Sequence, residues 1–259
     1  ISGEGLKTET RSYKTFSSSL TELKEWLLSS GITHVAMEST GVYWKPVYKI
    51  LECPDMKVWI VNARHIKYVP GHKTDKKDSA WICKLLLAGL LKPSYIPERE
   101  QRELRDLTRY RNKLIQHVSS EKNRIVRILE DCNIKLSSVV CSLDGVVANK
   151  LIDMLIDKGH VTMDDITCIY HKKLEASPEL LYQACEGFIE PHHIYMLQTI
   201  RKDMEQTKAI IADLTCRIKE VLSPYENVME LLQKIPGLSR KTVEDLIAEI
   251  GVDMEAFPT

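Results

Sequence analysis

Glu38, closing the apolar run Ile32-Thr-His-Val-Ala-Met-Glu38, and the segment Lys73-Thr-Asp75-Lys-Lys-Asp78 are the residues of this chain whose types and spacing point to chemistry. Two-metal phosphoryl transfer needs several carboxylates converging on divalent ions roughly 3.5–4 Å apart, with the phosphate approaching from a side lined by lysine or arginine. Glu38, Asp75 and Asp78 supply three such carboxylates, and Lys73, Lys76 and Lys77 interleave the cations. The two aspartates alone have a second reading, since aspartate in a first helical turn favours the helix dipole and caps free N–H groups. Three acids shift the balance toward a metal site: an i,i+3 pair lies on one helix face, and Glu38 ends a strand that a parallel crossover places beside the following elements.

The elements that must position these acids follow from pattern. Ser19-Leu-Thr-Glu22 reads as a capping box, and Leu20, Leu23, Leu27 and Leu28 mark an amphipathic helix stopping at Gly31. A strand is expected from about Ile32 to Met37, then a helix from Val42 to Leu51 with Pro46 in its first turn, then the short buried strand Val58-Trp-Ile-Val61. Strand, helix, strand implies parallel neighbours with a right-handed crossover. Upstream, Leu6 to Phe16 after the Gly3-Glu-Gly5 turn reads as the second arm of a hairpin. The acidic helix should run from Thr74 or Asp75 through Leu91, closed by Lys92-Pro93.

Beyond it, a charged helical pattern from about Glu98 to Ile134 carries Leu104, Leu107, Leu114, Val118, Ile125, Ile128 and Leu129 on one stripe. Such a stripe needs a partner. The segment from about Pro191 to Leu222, with Ile194, Leu197, Ile200, Met204, Ile211, Leu214, Ile218 and Leu222, would complete an antiparallel coiled coil. Residues 137–190 read as short helices with acidic loops and no evident chemistry. The segment Leu231 to Gly251, with Ile235-Pro-Gly-Leu at its turn, has the pattern of a helix-hairpin-helix. In that motif a glycine admits a phosphate close to the backbone, and the N–H groups of the second helix face the anion. Gly237, Ser239, Arg240 and Lys241 would make that contact; the plainer reading is an ordinary helix turn with Gly237 as a packing residue.

Composition narrows the class. Lys plus Arg equal Asp plus Glu at 36 each, so only the distribution of charge can name a partner. From Lys57 to Arg127 there are 17 Lys/Arg against 7 Asp/Glu, whereas Cys141 to Ile200 has 4 against 9. The basic segment, with Arg99, Arg102, Arg105, Arg109, Arg111 and Lys113, is the footprint of a nucleic-acid groove or of a solvated helix surface. Seven cysteines without a C-x-x-C pair argue for reduced thiols in a cytoplasmic protein and against a zinc ribbon or disulfide framework. No stretch approaches the roughly 18 apolar residues of a membrane span, and no signal peptide is evident. His34 lies within a strand and reads as a core or sheet-face residue, while His65 and His72 flank a basic loop within reach of phosphate. Ser39-Thr40-Gly41 reads as a turn holding the carboxylate or as an anion contact. Trp26, Trp44, Trp59 and Trp81 sit in apolar patterns and are expected to pack.

Glu38-Ser-Thr-Gly41-Val-Tyr43, Lys73-Thr-Asp75-x-x-Asp78 and Ile235-Pro-Gly-Leu, in this order, resemble the DEDD transposases of bacterial insertion sequences, of the IS-one-ten and IS-eleven-eleven type. The resemblance implies an α/β RNase H-like (RuvC-like) domain, an α-helical coiled-coil region and a C-terminal transposase domain carrying a nucleophilic serine. By the same resemblance Glu38, Asp75 and Asp78 are the second, third and fourth acids of a magnesium-binding tetrad. DNA is the implied substrate and a structured noncoding guide RNA the implied partner, in the cytoplasm of a bacterium at its nucleoid.

The boundaries expected are 1–97 for the catalytic domain lacking its first strand, 98–225 for the coiled-coil region with its insert at 137–190, and 226–259 for the start of the transposase domain. The chain opens at Ile1, after the position where the resemblance would place the first aspartate, and closes at Thr259, before the position where it would place the serine. It is therefore expected to be a fragment that does not turn over by itself. Assembly as a dimer or tetramer is expected from the coiled coil. Two rivals stand beside this reading: a RuvC-type junction resolvase, which needs neither the coiled coil nor the Ile-Pro-Gly segment, and a non-catalytic nucleic-acid-binding remnant.

Overall fold

The structure is a computed structural model in which residues 8–62, 75–171 and 174–255 are described, with the backbone alone described for 75–78. It divides into two compact units, residues 1–97 and 98–259.

In the first unit, α1 (Ser17–Ser29) precedes β1 (His34–Glu38), α2 (Trp44–Leu51), β2 (Lys57–Val61) and α3 (Asp75–Leu87). The two strands pair in parallel, from His34↔Lys57 to Glu38↔Val61, as the strand-helix-strand pattern requires. Pro46 sits in the first turn of α2, where its missing N–H has no intrahelical acceptor to lose. Val61, Ile82, Leu85 and Leu91 form the buried core, with Ala36, Trp59 and Trp81 packed against it, so α3 lies on the sheet.

Three local expectations are corrected. Helix α1 begins at Ser17 with Phe16 as its N-cap and no side-chain cap bond, so Ser19 and Glu22 form no capping box; both lie inside the helix. Between Thr8 and Phe16 the expected hairpin arm is irregular chain. Arg11 lies 4.6 Å over the Trp26 ring and Tyr13 stacks 6.0 Å from it, so this segment is held by side chains on α1 rather than by a strand ladder. Helix α3 ends at Leu87, short of Leu91. Gly89 takes φ +67°, and the Leu90 N–H donates to the Leu85 carbonyl at 3.0 Å, a left-handed glycine termination that satisfies the last carbonyls.

The second unit is built on α4 (Arg99–Asp131) and α9 (Pro191–Leu222). At 33 residues and 1.5 Å per residue, α4 spans about 50 Å. The two helices run antiparallel: His193 meets Asp131 at 3.2 Å, His117 meets Asp203 at 2.7 Å, and Leu104 shares a core with Ile218 and Leu222. The apolar stripe of each thus finds its partner within the chain. Between them come α5 (Leu136–Val139), α6 (Val146–Lys158), α7 (Met163–Ile169) and α8 (Pro178–Cys185). Leu151, Leu155, Ile166 and Leu181 of these helices form one core with Leu129 and Leu197. Burying a leucine in this way stabilises by about 1.5–3 kcal/mol. Thr162 and Asp165 cap α7 reciprocally, and hydrogen bonds from Lys158 and Thr162 hold the Asp165 carboxyl down at about 2.

A short 3-10 turn, Ser223–Tyr225, leads into α10 (Glu226–Gln233) and α11 (Arg240–Ile250). Met229, Val243, Ile247 and Ala248 pack with Leu104, Ile218 and Leu222, which fastens this helical pair to the long helices. Among the described residues no helix is long and apolar enough to cross a membrane. The cysteines described are all free thiols, and burial pushes the Cys185 thiol up to about 11.

Candidate active site and nucleic-acid surface

Glu38 is the last residue of β1, half-buried, opposite Val61 at the carboxyl end of β2. The pairing continues one step further, because the Ser39 N–H donates to the Val61 carbonyl at 2.9 Å. The chain then turns: the Thr40 N–H donates to the Glu38 carbonyl, the Tyr43 N–H to the Thr40 carbonyl, and Gly41 takes φ +51°. Ser39-Thr40-Gly41 is therefore a turn that anchors the backbone of Glu38. In open parallel sheets the crevice at the carboxyl ends of the strands is where ligands bind, and Glu38 occupies that edge.

Asp75 and Asp78 stand at positions one and four of α3, whose body packs on the sheet through Ile82 and Leu85. Their carboxylates, with the side chains of Lys76 and Lys77, lie outside the described residues, as do Lys73, His65 and His72. His34 is exposed on the sheet face, with Nδ1 2.9 Å from the Thr33 hydroxyl and its ring edge-on to Trp59. Trp59 and Trp81 pack against the core, Trp26 carries Arg11, and Trp44 meets Tyr48 edge-on at 5.8 Å.

The cationic stripe of α4 faces an acidic stripe on α11. Arg105 Nε donates to the Ala248 carbonyl at 2.9 Å, and its guanidinium also reaches the Glu249 carbonyl. Arg109 forks onto the Glu249 carboxylate with two 2.7 Å bonds, which hold that carboxyl below its ordinary value. Arg111 meets Glu244 at 2.5 Å with both side chains 3 % exposed, and reaches Asp245 at 3.2 Å. Arg111 is thus a buried partner of α11, its guanidinium facing carboxylates rather than solvent. Arg102 is half-buried, and Lys113 is exposed.

At the hairpin, Gly237 takes φ +88° and a Cβ there would meet nothing within 4 Å, so the glycine serves conformation rather than packing. Ser239 caps α11, its hydroxyl accepting from the Thr242 N–H at 3.2 Å. Arg240 forks onto Glu226 at 2.8 and 3.0 Å and holds that carboxyl down, while Lys241 pairs with Asp245 at 2.9 Å. Sequence reasoning missed the acids Glu244, Asp245 and Glu249 as the counterpart of the arginines. The available signal was the clustering of these three acids within two turns of α11, opposite in sign to the arginines of α4.

Among protein families, residues 1–134 match the model of the IS110 DEDD family, described as a transposase. The chain belongs to the DEDD transposase family. The matched residues cover the first unit and all of α4, so Glu38, Asp75, Asp78 and the arginine stripe all fall within the DEDD transposase region. A DEDD transposase acts in DNA transposition through enzymatic DNA cleavage, and the family implies an RNase H-like fold around the parallel pair β1 and β2. No curated protein matches the chain.

Proposed function

We propose that this transposase cleaves and exchanges DNA strands during insertion-sequence transposition, with Glu38, Asp75 and Asp78 holding magnesium and a structured guide RNA directing the choice of DNA. The observation that carries this reading is the placement of Glu38 at the carboxyl end of a parallel strand, with an Asp-x-x-Asp helix packed on the same sheet. Three carboxylates offer hard anionic oxygens, the donor set that magnesium takes, so the residue types fit the ion. When bound, magnesium polarises the scissile phosphate and neutralises its developing charge.

The rest belongs to the chain's own residues. The Ser39–Gly41 turn holds the backbone that carries Glu38, so the carboxylate would take the ion without a large reorganisation. Lys73, Lys76 and Lys77 neutralise the flanking phosphates, which adds a salt-dependent term to binding. In the second unit, Lys113, the hairpin from Gly237 to Ser239 and the outward parts of Arg102, Arg105, Arg109, Arg240 and Lys241 contribute to the surface for DNA and guide RNA. Arg109 supports this assignment best, because its side chain stays 59 % exposed while bonded to Glu249. Assembly into a dimer or tetramer belongs to the same reading.

The test is Asp75→Ala in the intact transposase. Recombination should be lost while nucleic-acid binding is kept; retained recombination would remove Asp75 from the chemistry. A magnesium titration separates this reading from that of a non-catalytic nucleic-acid-binding protein, for which no saturable binding at the three acids is expected.

A further inference from the structure

Near the middle of the two longest helices lies a group of side chains that the acid set does not use. His117 and Glu121 are one turn apart on α4, and Asp203 reaches toward them from α9. His117 Nε2 lies 2.7 Å from Asp203 Oδ2, and one ligand atom of each of the three residues lies within 4.8 Å of the others. Glu121 is 4 % exposed, one turn from each of the buried residues Val118 and Ile125. It pairs with Arg124 at 3.1 Å, but the Arg124 side chain is 57 % exposed and screened by water. A carboxylate at that depth is costly unless cations compensate it. A second carboxylate, Asp203, beside it adds to the negative charge facing the imidazole.

We propose that His117, Glu121 and Asp203 form a binding site for one divalent transition-metal ion, with zinc the ion that best suits one imidazole and two carboxylates. Zinc takes this nitrogen-and-oxygen set in tetrahedral geometry, with three protein ligands and a water in the fourth position. Magnesium prefers an all-oxygen shell, which separates this site chemically from the acids of the first unit. Ligand atoms around a zinc ion lie about 3.3 Å apart. The 2.7 Å contact between His117 and Asp203 must therefore open slightly, and both side chains are free to turn, being 43 % and 48 % exposed. The ion takes the place of the direct contact between the imidazole and the Asp203 carboxylate. It thereby ties α4 to α9 between residues 86 apart in the chain. Because an ion held by both helices binds the folded chain and not the unfolded one, its binding stabilises the pair.

The experiment uses the full chain stripped with a chelator. Cobalt is titrated in and followed by its visible absorption, and thermal unfolding is recorded with and without zinc. With magnesium in excess to fill the acids of the first unit, one cobalt per chain, displaced by zinc, and a zinc-dependent rise in Tm are expected. His117→Ala and Asp203→Asn should each weaken cobalt binding by more than the roughly tenfold that loss of an outer-shell partner costs, and abolish the zinc-dependent rise. A purely structural role for the His117–Asp203 pair would lower Tm equally with and without zinc, and that result overturns the proposal. So does the absence of saturable cobalt uptake. Uptake undiminished in both variants also overturns it, placing the metal on exposed thiols such as Cys141 and Cys216.

Discussion

A carboxylate, a guanidinium and a glycine illustrate what a single residue contributes in this protein. Glu38 is legible from its type and its place at the end of an apolar run, because a strand end is one of the few positions where an acid can be held close to a sheet without being buried in it. Arg111 is not legible in the same way. Its neighbours Arg105 and Arg109 have the same type and the same helical setting, yet Arg111 is buried against Glu244 while Arg109 remains largely in water. Exposure depends on the partner surface, which no window of sequence around residue 111 contains. Gly237 lies between these cases: an Ile-Pro-Gly turn predicts a left-handed residue, and the observed φ of +88° is of that kind. Gly237→Ala is expected to cost about 1–3 kcal/mol through backbone strain alone, since no atom stands within 4 Å of the added Cβ. Denaturant unfolding measures that cost. If the hairpin contacts phosphate, DNA affinity measured under conditions where the variant is fully folded falls as well.

The contact between α4 and α11 is where the energetics of an element can be tested. Removing one member of a buried ion pair leaves an uncompensated charge, so Arg111→Ala should destabilise by about 3–5 kcal/mol. The double change Arg111→Met with Glu244→Leu should recover most of that loss, because apolar groups of similar volume carry no desolvation penalty. Chemical unfolding of the single and double variants decides between an ion pair that stabilises and one that merely must not be broken. The same contact sets an acid limit. Arg109 holds the Glu249 carboxyl below its ordinary value, and Lys241, Asn112 and Arg111 hold Asp245 down against the opposing effect of its burial. A depressed carboxyl contributes stability that is full above its unfolded value of about 4 and lost as pH falls through the folded one. The docking of α11 should therefore weaken below about pH 4 and not between pH 5 and 8. Hydrogen exchange of the α11 amides across that range checks the sign.

At the scale of the molecule, the second unit rests on a core in which Leu129, Leu151, Leu181 and Leu197 are at most 1 % exposed. Leu197→Ala should cost about 2–5 kcal/mol, and a loss under 1 kcal/mol in denaturant unfolding would mean that this core repacks freely. The sequence by itself determined the order of helices and strands from α1 onward, the parallel pairing of β1 with β2, the match of α4 to α9, and the acid that ends β1. It could do so because periodicity, glycine and proline placement and crossover handedness act over one or two turns of chain. It read Leu6 to Phe16 as a hairpin arm, whose described part from Thr8 is irregular, since the alternation there is equally served by Arg11 and Tyr13 lying on Trp26. Only the tertiary structure decided which cations are internal, how the acids of α11 face the arginines of α4, and that His117, Glu121 and Asp203 meet. Those pairings join residues 86 to 144 positions apart, and an antiparallel crossing brings them together through the packing of distant apolar stripes, a long-range effect that local pattern does not encode.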